Sequence, residues 1–238
     1  MMQTLLRIHI AGGSLALLAM LPPLFARKGG RLHRWTGWGF VGGMTVVCVT
    51  ALLLSAFRFV TDPSPAGHQF SMLLFYISIL TGSGMWTGLR VLRAKSRTTR
   101  GPAVDIAWAA LLAGSAAATA AYGFATRNPL FMAFSTIGLI NGSGELMYWL
   151  RRPTVPMHWW LAHMGNMLGA CIAATTAFAI AGGRRVGLPG DSLLTWLGPT
   201  AIGLPVILVW VGYYRRRFSS RAASMDIGKG AAMQPVSG

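Results

Sequence analysis

Few residues in this chain are equipped for chemistry. Its 238 residues hold five histidines, His9, His33, His68, His158 and His163, and five acids, Asp62, Asp105, Glu145, Asp191 and Asp226. Imidazole ligates transition metals through either ring nitrogen, and haem iron in membrane cytochromes takes axial imidazoles from different helices. Glu145 is the only acid well inside an apolar run. A carboxylate beside an imidazole can relay a proton, orient a ligating ring or serve as a packing pair. Cys48 and Cys171 stand in mid-run, where each reads as a small buried hydrophobe.

The composition says what must hold these residues. The chain is 53% hydrophobic and 11% charged, where a soluble domain carries about 25% charged residues. That excludes a soluble enzyme, a disulfide-stapled secreted domain and a disordered chain. Seven apolar stretches lie near 4–25, 35–60, 68–92, 103–125, 129–150, 158–181 and 193–214, each close to the ~20 residues that a bilayer span needs. Breakers separate them: Lys28-Gly29-Gly30, Asp62-Pro63-Ser64-Pro65, Gly101-Pro102, Asn128-Pro129, Pro153 with Pro156, and Pro189-Gly190-Asp191. The first stretch outruns a signal h-region and ends in Pro22-Pro23 and Arg27-Lys28, so it reads as a retained span. The sequence therefore predicts an all-α polytopic transmembrane helix bundle of about seven spans, forming one domain over 1–217. A Ser-, Gly- and Ala-rich tail over 218–238 is expected to be disordered. Only Thr126-Arg127-Asn128 divides spans four and five, so a fused or re-entrant pair is an alternative there.

Charge orients the bundle. The net charge is +16, and sixteen of the 21 Lys and Arg fall in alternate loops and the C-terminal tail: Arg27–Arg34, Arg90–Arg100, Arg151-Arg152 and from Arg215 on. The positive-inside rule then puts the N-terminus out and the C-terminus in the cytoplasm, with Arg184-Arg185 the one violation. This alternation argues against nucleic acid as a partner. It favours the lipid bilayer, with anionic lipid at the cytoplasmic face drawn by about 1 kcal/mol per surface cation. Trp35, Trp38, Trp86, Trp149, Trp159 and Trp160 sit near the same helix ends, as interfacial anchors do.

With the spans in place, the histidines sort by depth. His9 lies five residues into span one on the outer side, and His163 five residues into span six on the inner side. They are separated by about half of the ~30 Å core and cannot share a metal. His68 opens span three outside and His33 opens span two inside. Two pairs are thus expected, His9 with His68 and His33 with His163, an arrangement that would suit haem b at either depth. Lone interfacial histidines that contact headgroups are the plainer alternative. His158 and His163 point to different faces of one helix. Glu145 lies about 9 Å from the Arg151 end of span five, near enough in depth to meet His163 across the hairpin. Spans three and five also share Thr81-Gly82-Ser83-Gly84 and Asn141-Gly142-Ser143-Gly144. Such small residues serve close helix packing, or make room for a flat ligand such as a porphyrin.

The block His9-Ile10-Ala11-Gly12-Gly13-Ser14, the block Arg27-Lys28-Gly29-Gly30-Arg31-Leu32-His33-Arg34 and the later stretch from His163-Met164 to Phe178 resemble a family of multi-spanning bacterial membrane proteins with no assigned activity. The resemblance implies a bacterial inner-membrane protein and carries no catalytic or binding residue over. The residues leave several activities open. One is a haem b electron-transfer protein using His9, His33, His68 and His163. A second is a proton-coupled small-molecule transporter using Glu145 and His163. A third is an intramembrane metal hydrolase drawing on His33, His158, His163 and Glu145, and a fourth a structural or assembly protein without chemistry.

Overall fold

The helices of the computed structural model begin and end at the punctuation in the sequence. Among the described residues they are α1 (Met2–Phe25), α2 (Arg31–Thr61), α3 (Pro65–Arg90), α4 (Ala103–Thr126), α5 (Pro129–Leu150), α6 (His158–Gly183) and α7 (Leu193–Ala232), with a 3₁₀ turn at Val91–Arg93. The structure describes residues 2–183, 187 and 192–232, with side chains as far as 220. The expectations placed on Arg184-Arg185, on Pro189-Gly190-Asp191, on the side chains of Arg221, Asp226 and Lys229 and on 233–238 fall outside the described residues.

Local chemistry explains the boundaries. Ser64 caps α3 by accepting from the Gly67 N–H at 3.0 Å, with Pro65 at the first helical position. Asp62 accepts from the Ser64 hydroxyl at 2.6 Å, from its N–H at 3.1 Å and from Arg58 at 3.3 Å. These bonds, that of the hydroxyl first, hold the Asp62 carboxyl below the usual carboxylate range. Spans four and five are separate helices: Arg127 turns left-handed (φ 51°), and the Asn128 side chain then caps α5 through the N–H groups of Leu130 and Phe131. At the C-terminus, α7 runs on to Ala232, so the stretch expected as a disordered tail from 218 is helical through 232. Extending a formed helix is easier than nucleating one, and Arg215–Arg217 and Ala222-Ala223 are good helix formers.

Among the described residues six helices are long and apolar enough to cross a bilayer, which makes this a multi-pass membrane protein. The shorter α5 falls short of that measure because Asn141 to Glu145 interrupt its apolar run. The outward faces agree: Phe25 is 86% exposed and Ile202 74%, positions that lipid rather than water would cover.

Inside the bundle, α3 is the central helix, touching α2, α4, α5 and α6. One core cluster joins α1, α2, α3 and α6 through Ala16, Phe40, Met44, Met85 and Ala174. A second joins α3, α4, α5 and α7 through Leu73, Tyr76, Ala116, Phe134 and Trp196. Glycine sets two close approaches: a Cβ at Gly43 would lie 2.7 Å from the Gly12 carbonyl, and one at Gly142 would lie 2.8 Å from the Ala113 nitrogen. Here Gly142 of the repeated motif packs α5 on α4.

Candidate functional site

The basic loops gather where α1, α3 and α5 finish and α2, α4 and α6 begin; this is the basic end of the bundle. Every helix that finishes there leaves its last carbonyls without intrahelical donors. Side chains from neighbouring elements supply the missing donors. Lys28 Nζ donates to the carbonyls of Pro23 (2.7 Å) and Leu24 (2.9 Å) at the end of α1. Partial burial there pulls the Lys28 ammonium below the usual lysine range. Arg97 donates to the carbonyls of Tyr148 (2.7 Å) and Arg151 (2.9 Å) at the end of α5, with its guanidinium over the Tyr148 ring.

Two histidines belong to this pattern. His33, in the first turn of α2, bonds through Nδ1 to the Pro23 carbonyl at 3.4 Å. His163, in the second turn of α6, bonds through Nδ1 to the Gly88 carbonyl at 2.8 Å, where α3 gives way to the 3₁₀ turn. A carbonyl only accepts, so Nδ1 carries the proton in both rings. Among the described residues neither Nε2 has a hydrogen-bond partner. The ring centroids lie 6.5 Å apart with the planes at 69°. Both rings are half-buried, and a Cβ added at Gly37, one turn beyond His33, would meet nothing within 4 Å.

The other candidates take different partners. His9 Nδ1 is 2.9 Å from the Thr50 hydroxyl of α2, and His68 stacks on Phe59 at 4.6 Å. His9 and His68, conceivable as an outer pair, are thus each engaged with a different neighbour, Thr50 of α2 and Phe59 of α2. His158 Nδ1 is 2.8 Å from the Tyr148 hydroxyl. Among the described residues no three His, Cys, Asp or Glu side chains converge as a metal hydrolase would require.

Glu145 does not meet His163. Its Oε2 accepts from the Ser83 and Thr87 hydroxyls, each at 3.0 Å, while His163 docks on Gly88. Thr87 and Gly88 are consecutive and so point about 100° apart around α3; the central helix stands between acid and imidazole.

A further cluster was not legible as a site. Asp105, in the first turn of α4 where a carboxylate suits the helix dipole, is 1% exposed. It accepts from Arg90 Nε at 2.8 Å, from the Arg90 terminal nitrogen at 2.9 Å and from Trp86 Nε1 at 2.9 Å. The available signal was spacing: Ser83, Trp86, Thr87 and Arg90 lie at i, i+3, i+4 and i+7, one polar face of α3 that receives both acids.

Compared with known proteins, the chain matches no protein family, no curated protein and no solved structure.

Proposed function

We propose that this chain is an electron-transfer protein of a bacterial inner membrane, in which His33 and His163 would hold one b-type haem. The observation that carries this reading is the pair itself: two imidazoles from different helices, 6.5 Å between centroids, each with Nδ1 held by a backbone carbonyl. Two imidazoles that share one metal ion have ring centroids about 5 to 6 Å apart, so a separation of 6.5 Å would bring both rings near one metal ion. Nδ1 donation to a carbonyl fixes the tautomer that leaves an Nε2 lone pair for iron and raises its basicity. Gly37 adds no side chain to the face of α2 one turn beyond His33.

A haem bound there would supply one-electron redox chemistry. The chain's own part would be to hold both rings at one level, each by its Nδ1–H on a backbone carbonyl. Basic loops on the same end support a cytoplasmic side for the pair under the positive-inside rule, in a proposed topology of seven spans with the N-terminus out and anionic lipid against the basic end. Of the pairs expected at two depths, the proposal retains one.

The test is a visible spectrum of detergent-purified protein from haem-replete cells, air-oxidised and then dithionite-reduced. A Soret band that shifts and sharpens on reduction supports the reading, and a colourless, fully folded protein removes it.

A further inference from the structure

The gap between α3 and α5 holds a second arrangement that owes nothing to the histidine pair. Glu145 is 6% exposed, its Oε1 is buried without a hydrogen-bond partner, and its Oε2 receives both the Ser83 and the Thr87 hydroxyl. The charged groups on the helices packed around it are already engaged. Arg90 of α3 and Asp105 of α4 pair with each other, and His163 of α6 bonds Gly88 on another side of α3. Tyr148, three residues further along α5, lies under Arg97 and faces His158. Among the described residues no cation forms an ion pair with Glu145.

The two hydroxyls are unusual within this bundle. Thr45, Thr50, Ser55, Ser71 and Ser78 all donate to the carbonyl four residues back in their own helix. Ser83 and Thr87, on the same central helix as Ser71 and Ser78, donate across to Glu145 instead.

From this geometry we infer that Glu145, Ser83 and Thr87 form a reversible proton-binding site within the bundle. An ionised carboxylate buried without a cation is the costly form, by several kcal/mol even after relaxation. The neutral acid removes that charge and leaves Oε1 as an unpaired carbonyl oxygen, a smaller penalty. The hydroxyls serve both states. With Glu145 ionised they donate to Oε2, as seen. With Glu145 protonated, the acid O–H donates to a hydroxyl oxygen, and that hydroxyl turns to the carbonyl four residues back, Ile79 for Ser83 or Ser83 for Thr87. One proton is taken up on one carboxylate oxygen, one hydroxyl changes its acceptor and no other covalent bond changes. Thr87 and Ser83 lie about 4.5 and 10 Å along α3 from Arg90, so the site is set within the bundle but on the polar face that opens at the basic end.

The experiment is infrared spectroscopy on the full chain in lipid nanodiscs, as a pH titration in wild type and in Glu145→Gln. The site predicts a protonated-carboxyl C=O band at pH 7 that is absent in Glu145→Gln, shifts in deuterated buffer and fades as pH rises. Losing hydroxyls that hold the ionised form should raise proton affinity about tenfold or more in Ser83→Ala with Thr87→Val, so the band persists about one pH unit higher. The single change Ser83→Ala gives the same direction with a smaller step, should the double variant fold poorly. No difference band between wild type and Glu145→Gln from pH 5 to 9 overturns the proposal. So does a titration unmoved by removal of the hydroxyls, and so does loss of the band on adding sodium at constant pH, which would make the site one for a metal cation. None of these readings depends on whether haem is bound.

Discussion

The histidines at the two ends of the bundle face the same problem, a polar ring at the edge of an apolar medium, and the fold answers it differently. At the basic end, His33 and His163 spend one nitrogen each on helix-end carbonyls and lie 6.5 Å apart. At the opposite end, His9 takes the Thr50 hydroxyl and His68 takes the face of Phe59. Equal depth is therefore insufficient for a ligand pair. What differs is the partner each ring takes: at the basic end the Pro23 carbonyl near the end of α1 and the Gly88 carbonyl near the end of α3 anchor the two imidazoles side by side.

The sharpest way to break this contrast is to remove one histidine at a time. His33→Ala or His163→Ala should abolish the reducible Soret band, and His9→Ala or His68→Ala should leave it intact, read by absorbance per mole of protein. Equal loss from all four variants would erase the distinction between the ends. The next largest effect concerns the ion pair beside the basic end. Arg90→Met leaves Asp105 buried and unpaired, a change that should destabilise the fold by about 3–5 kcal/mol in a denaturant titration. Asp105→Asn in the same background should recover part of that loss.

Away from either histidine cluster, Gly142→Val would drive a side chain into the backbone of Ala113. That overpacking should cost about 1–3 kcal/mol by thermal unfolding while leaving the basic-end pair and its spectrum alone. The smallest expected effect is at the far end. Thr50→Val removes the His9 partner, should cost about 1 kcal/mol, and should not alter the visible spectrum. A spectral change there would show that the two ends are coupled after all.

Much of the fold was legible in the chain and much of the site was not. The breaks at Gly29-Gly30, Pro63-Ser64-Pro65, Pro102 and Asn128-Pro129 mark helix ends, because proline and capping side chains act within a few residues. The pairing of His33 with His163 was within reach, since hydropathy and charge put both at one level. Glu145 was recognisable as the acid inside a span, but its donors were not. Ser83 looked like part of a small-residue packing motif, and only the rotation of α3 shows that its hydroxyl faces α5. Likewise Asp105 carried a sufficient local explanation at the start of α4, which hid its bonds to Arg90 and Trp86.

By itself the sequence determined what depends on one segment at a time: which stretches are apolar enough to leave water, where they stop, and which loops collect the positive charge. Each is set by transfer and capping energies that act along the chain. The tertiary structure alone decided what depends on two or more segments: that α3 is central, that it separates Glu145 from His163, and that His9 and His68 take different neighbours. Those outcomes follow from which helices are lateral neighbours and how each is rotated about its axis. Inside a bilayer these are settled by close packing at small residues such as Gly43 and Gly142.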